Sequence, residues 1–165
     1  MLRWRVLLTP RVLGIVAVLA GVVGFAILQA VPSTCVSTAN GALTDPAIYG
    51  EYEGSTQSED CGTDLTLNYI VNTGTTVTWD GSGGPLQGSL ETQAGGSLQI
   101  TGAAELQGTV SNAGSLAVIA GAGASSLTLT TPLLNSGEFS VADNLPVTLQ
   151  GGATLSGGSF TLGSS

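Results

Sequence analysis

Few side chains in this sequence have the means to do chemistry. Beyond Arg11 there is no Lys, Arg or His, which leaves carboxylates, hydroxyls and two cysteines. From Asn72 onward the acids are Asp80, Glu91, Glu105, Glu138 and Asp143. Two carboxyls about 5 to 9.5 Å apart make a glycosidase pair, one as acid and the other as base or nucleophile. Asp80 and Asp143 come nearest to equivalent places in the repeat described below, yet three coils separate them, about 14 Å at the spacing of β-strands. The other three fall at different phases, so these acids read as solubilising. A serine or cysteine nucleophile lacks the histidine that would activate it. Neither GxxxxGK nor the calcium nonapeptide GGxGxD occurs. The expectation is a chain that is no enzyme and carries no cofactor and no metal.

Charge and cysteine use narrow the partners. All three basic residues lie at Arg3, Arg5 and Arg11, and all 11 acidic ones come later, for a net charge of -8. A body without cations cannot neutralise phosphates, which argues against nucleic acid and anionic membrane surfaces as partners. Cys35 and Cys61 read first as one disulfide in an exported chain, with two unpaired thiols as the alternative. Two Cys without His cannot complete a tetrahedral zinc shell. Glu51, Glu53, Glu59 and Asp60 offer a cation or partner site on paper. A run of like charge is more often a solvated surface, and that is the reading taken.

The elements that would hold these residues follow in chain order. Val12 to Val31 is an apolar run behind the three arginines, which predicts an N-terminal signal or transmembrane anchor over residues 1–31. Its length suits an uncleaved span, while Gly14, Gly21 and Gly24 keep cleavage open. Residues 32–64 are polar and turn-rich, with no periodicity, and are expected to form an acidic linker or cap. From Leu65 the pattern becomes strict alternation, the mark of strands with one buried face.

One phrase recurs through residues 65–165. It reads AGGSLQI at 94–100, NAGSLAV at 112–118, NSGEFSV at 135–141 and SGGSFTL at 156–162, with a degenerate copy NTGTTVTW at 72–79. The turn glycines are then Gly74, Gly96, Gly114, Gly137 and Gly158. Self-similarity at a period near 20 residues signals a solenoid. The apolar pairs Val77 and Trp79, Leu98 and Ile100, Leu116 and Val118, Phe139 and Val141, and Phe160 and Leu162 are predicted to form an inward ladder. Leu86, Leu106, Leu134 and Leu155 mark a second face, and SLTLTTP and PVTLQGG a third. The fold expected is all-β, a right-handed parallel β-helix of about five coils. Asn112 and Asn135 are placed to stack as an amide ladder, and each repeated Gly to sit where the backbone needs positive φ or close approach. An antiparallel sandwich is the competing fold. An uncapped final coil would expose an edge able to template further pairing, so either the coils continue or end-to-end self-association uses it.

Other surface readings are weaker. Thr76 and Thr78, then Thr128 and Thr130, have the Thr-x-Thr form of ice-binding solenoids, but on two coils only. Trp79, Tyr69 and Phe139 would suit a sugar-stacking platform, yet alternation sends at least Trp79 and Phe139 inward.

The NxGxLxV phrases at 112–118 and 135–141, with their AGGSL and SGGSF variants, resemble the repeats of bacterial surface β-solenoids, including autotransporter passenger domains and filamentous haemagglutinin-like adhesins. The resemblance covers residues 72–165. It implies a secreted or cell-surface structural protein. The partners expected are a host or cell-surface carbohydrate or protein ligand, and a membrane through the N-terminal segment read above. The alternative is the N-terminal part of a carbohydrate-active β-helix whose site lies beyond Ser165.

Overall fold

Alternation becomes strand here because period-two side chains bury one face only when the backbone is extended. The computed structural model describes residues 34–50 and 60–163. The anchor expected over residues 1–31 lies outside the described residues.

Three parallel sheets carry the fold. Sheet one holds β1 (Thr34–Val36), β3 (Asn68–Val71), β5 (Leu90–Thr92), β8 (Val110–Asn112), β11 (Leu133–Asn135) and β14 (Ala153–Leu155). Sheet two holds β2 (Gly41–Ala42), β4 (Thr76–Trp79), β6 (Ser97–Ile100), β9 (Ser115–Val118), β12 (Glu138–Val141) and β15 (Ser159–Leu162). Sheet three is shorter, with β7 (Ala103–Leu106), β10 (Ser126–Leu129) and β13 (Val147–Leu149). A lone parallel bridge from Leu86 to Leu106 extends it toward the first coils. Every strand pairs with its counterpart one turn away, giving a β-solenoid of about four turns, flanked by two-stranded coils at each end.

All five apolar pairs fall in register on sheet two. Val77, Leu98, Leu116, Phe139 and Phe160 form one column, and Trp79, Ile100, Val118, Val141 and Leu162 the other. Eight of these ten are buried; Phe160 is half-buried and Leu162 is 63% exposed. Leu86 and Leu106 differ from the expectation. They belong to sheet three with Leu129 and Leu149, whereas Leu134 faces out of sheet one and Leu155 ends it. Sheet one turns two columns inward, Tyr69, Leu90, Val110 and Leu133 in one and Val71, Thr92, Asn112 and Asn135 in the other.

The glycine column is shifted by one place at its start. Gly96, Gly114, Gly137 and Gly158 precede paired residues of sheet two, and the matching residue below them is Thr75, because Thr76 pairs with Ser97. A Cβ on Gly158 would strike the Gly137 carbonyl oxygen, one on Gly137 that of Gly114, and one on Gly114 that of Gly96. Those same carbonyls accept the ladder hydrogen bonds from Ser115, Glu138 and Ser159 N–H at 2.8 to 2.9 Å. Close approach of the coils is therefore what excludes a side chain here. Gly74 stands instead below Gly95, and both have left-handed φ, +79° and +81°.

Stacking also begins earlier than alternation does. β1 and β2 form a first rung, invisible to periodicity because they have only three and two residues. Cys35 and Cys61 are joined in a disulfide with Cα atoms 5.5 Å apart, both buried. A 3-10 turn, Pro46–Ile48, is capped by Asp45, whose carboxylate accepts from Ala47 N at 2.9 Å.

Candidate functional site

The candidate chemical groups are spread apart by the coil. Glu91 lies on sheet one, Glu138 on sheet two and Glu105 on sheet three, so no two share a face. Asp80 and Asp143 follow β4 and β12, with β6 and β9 between them in the sheet. Among the described residues no three of His, Cys, Asp or Glu come together as a metal shell. Glu51, Glu53 and Glu59 of the expected acidic surface lie outside the described residues, and Asp60 opens a turn beside the disulfide.

Several carboxylates are occupied in building turns. Asp64 accepts from the Thr66 hydroxyl at 2.7 Å and the Thr66 N–H at 2.9 Å. The hydroxyl, then the N–H, hold the Asp64 carboxyl below its ordinary range. Asp80 accepts from Ser82 N at 2.9 Å, and the Ser82 hydroxyl and N–H lower it in the same way. Glu105 accepts from the Gln107 amide at 2.8 Å. The contacts at Asp64 and Asp80 favour the ionised form of these turn-making acids, whereas a general acid needs its neutral form favoured.

The three aromatic side chains considered for a sugar platform are core. Trp79, Tyr69 and Phe139 are each buried at 1% exposure or less, so no stacking platform forms from them. Trp79 Nε1 donates to Ser82 O at 3.2 Å. Tyr49 and Tyr69 pack edge to face over the first coil, with centroids 5.6 Å apart. Their hydroxyls donate to Leu43 O at 2.6 Å and Asp64 O at 2.9 Å, and burial pushes both phenols above their usual range.

What the coil does assemble is a set of outward rows. On sheet two one row reads Thr76, Ser97, Ser115, Glu138, Ser159, and beside it runs Thr78, Gln99, Ala117, Ser140, Thr161. Strand spacing sets successive members about 4.8 Å apart. The two Thr-x-Thr pairs do not share this face, since Thr128 belongs to sheet three. Beside the rows, the corner between sheets two and three holds a groove of about 420 Å³ lined by Asp80, Thr101, Gly102, Ala103 and Ala122 to Ala124.

Inside, the amide ladder is real and was readable from the Asn positions. Asn112 Nδ2 donates to Asn135 Oδ1 at 2.6 Å and to Glu138 O at 2.8 Å, and Asn135 Nδ2 donates to Gly137 O and Ser159 O. Asn112 Oδ1 is buried without a hydrogen-bond partner.

No family model, curated protein or solved structure matches the chain.

Proposed function

We propose that the chain is an exported cell-surface β-solenoid with a structural and adhesive role and no catalytic activity. The observation that carries this reading is the pair of outward rows on sheet two. Hydroxyl side chains fill seven of the ten places there, with Gln99, Ala117 and Glu138 in the others, in register over five strands, which offers a partner many weak contacts in place of one pocket. A body whose only charges beyond Arg11 are acidic suits a neutral or cationic partner, such as an uncharged surface glycan or a basic protein. The apolar run before Val31 and the Cys35–Cys61 disulfide both fit a location outside the cytoplasm.

The test compares antibody labelling of intact and permeabilised cells, then attachment of cells with and without the gene to glycan-coated and protein-coated surfaces. Labelling of intact cells and lower attachment on deletion are expected. Labelling that appears only after permeabilisation would sink the reading.

A further inference from the structure

The turns of the solenoid are not equally fastened. Between β9 and β10, residues 119–125 form a loop over the corner that residues 101–102 make one coil below. Both sides of this loop are held. A Cβ on Gly121 would strike the Thr101 carbonyl oxygen, and Gly121 N–H donates to the buried Ser125 Oγ at 3.0 Å. Its crest is not held. Ala122, Gly123 and Ala124 are exposed and form no hydrogen bond with the described chain, and a Cβ on Gly123 would meet open space.

Other exposed turns are tied down. Asp80 accepts from Ser82 N–H, whose own carbonyl accepts from Trp79 Nε1, and Leu145 N–H donates to Ala142 O ahead of Pro146. The Ala-Gly step of the crest recurs at Ala94–Gly95 and Ala113–Gly114, where the main chain is occupied. Ala94 O accepts from the Thr73 hydroxyl, Gly95 O from Gly74 N–H, and Thr92 O from both Ala113 and Gly114 N–H.

We propose that the crest is a processing site, where an endopeptidase with a small side-chain pocket cuts Ala122–Gly123 and leaves a two-chain solenoid that stays assembled. The inference does not rest on where cells hold the protein. A peptide in a protease cleft is gripped through its main chain like an added strand, which needs free N–H and C=O groups. The crest supplies them on three consecutive residues, and loop tips of small residues are preferred sites of nicking. The alanine methyl fits the small pocket of an elastase-type enzyme, whereas a trypsin-type enzyme finds no Lys or Arg beyond Arg11. Water balances the step: its hydroxyl joins the Ala122 carbonyl carbon, the C–N bond breaks, and its proton goes to the Gly123 nitrogen.

No rung is lost by this cut. The ladders of β9 to β6 and β12, and of β10 to β7 and β13, lie outside the loop. Across the cut the two pieces share the pairs β7 with β10, β8 with β11 and β9 with β12, and the buried Asn112 to Asn135 bond. Cys35 and Cys61 fall in the same piece, so only packing and hydrogen bonds join the two.

Brief digestion of the folded full chain with elastase, read by mass spectrometry, tests the site. The first cut within residues 60–163 is expected at Ala122–Gly123, ahead of Ala94–Gly95 and Ala113–Gly114. Ala122→Asp, which brings a carboxylate to the enzyme's apolar pocket, should slow that cut at least about tenfold. Ala94→Asp should leave its rate unchanged, with circular dichroism checking that both variants fold. On gel filtration the cut protein should elute with the intact one, its fragments separating only in denaturant. A first cut at any other bond in that range, a rate indifferent to Ala122→Asp, no cut until the chain is thermally unfolded, or fragments that part under native conditions would overturn the proposal.

Discussion

Asn112 and Asn135, 23 residues apart in sequence, lie in register on neighbouring strands and join amide to amide at 2.6 Å in a site sealed from solvent. Each also donates to main-chain carbonyls of the adjoining turn, so the pair ties sheet one to sheet two. Asn135→Ala should cost about 1 to 3 kcal/mol, because it leaves one buried Asn112 amide hydrogen without its acceptor and two carbonyls without a side-chain donor. Asn112→Ala should cost less, since its own Oδ1 is unbonded to begin with. Denaturant unfolding of the two variants gives the order.

Gly137→Ala and Gly74→Ala test two different reasons for glycine. At Gly137 the new methyl meets the backbone of Ala113 and Gly114, which cannot turn aside, and a loss of about 1 to 3 kcal/mol or more is expected. At Gly74 the space is open and only the left-handed backbone resists, so about 1 to 2 kcal/mol is expected. Thermal melts should therefore rank Gly137→Ala below Gly74→Ala, which itself melts below the parent chain.

Leu98→Ala removes a fully buried side chain from the centre of the ladder and should cost about 2 to 5 kcal/mol. Leu162→Ala, in the same sheet but largely in solvent, should stay within about 0.5 kcal/mol. Equal losses at the two positions would contradict the burial gradient along the solenoid.

The Cys35–Cys61 bridge spans 26 residues of sequence, and the chain-entropy treatment gives about 3 to 4 kcal/mol for closing such a loop. Cys35→Ser with Cys61→Ser should lower the melting temperature accordingly. In the folded parent chain both sulfurs are buried, so reduction should be slow until the first coil opens.

Stability should change little through neutral pH, since the chain contains no histidine. Asp64 and Asp80 have lowered folded values, so their contribution is present above the ordinary carboxylate range and is lost as pH falls below about 4. Both are solvent-exposed acids, which keeps the acid loss small. Tyr49 and Tyr69 have raised folded values, so theirs is complete below about pH 10 and is lost as pH rises above it. Tyr49→Phe should cost about 1 kcal/mol at neutral pH and flatten the alkaline limb. Melts across the pH range check both signs.

The sequence made the stack legible wherever each coil repeats the same local demand. The SLQI, SLAV, EFSV and SFTL strands each supply two inward apolar residues after a glycine that admits no side chain, and the register follows from that. Gly74 misled because Thr75 is inserted beside it, so the more conspicuous glycine lies one place off the column. Thr75 fills the place with a hydroxyl that bonds Ser37 Oγ at 2.6 Å, a partner reachable only through the first rung. That rung itself was hidden because Thr-Cys-Val and Gly-Ala are too short to show a period, and long-range pairing supplies their order. The grouping of Leu134 with Leu86 failed for a related reason: in Leu133-Leu134-Asn135 both leucines look eligible for the core, and only the strand's phase chooses Leu133. A functional site was less legible, because the acids serve turns or separate faces and the outward rows carry small polar groups shared by many surfaces.

The corner between sheets two and three absorbs the unequal lengths of the coils. Residues 101–102 make it between β6 and β7, residues 119–125 between β9 and β10, and residues 142–146 between β12 and β13. By contrast the step from Leu106 to Asn112 is matched, residue for residue, by those from Leu129 to Asn135 and from Leu149 to Leu155. The corner between sheets three and one is thus fixed in length, whereas the corner between sheets two and three tolerates added chain, and a foreign peptide grafted between Ala120 and Ala124 would be displayed without disturbing the coils on either side.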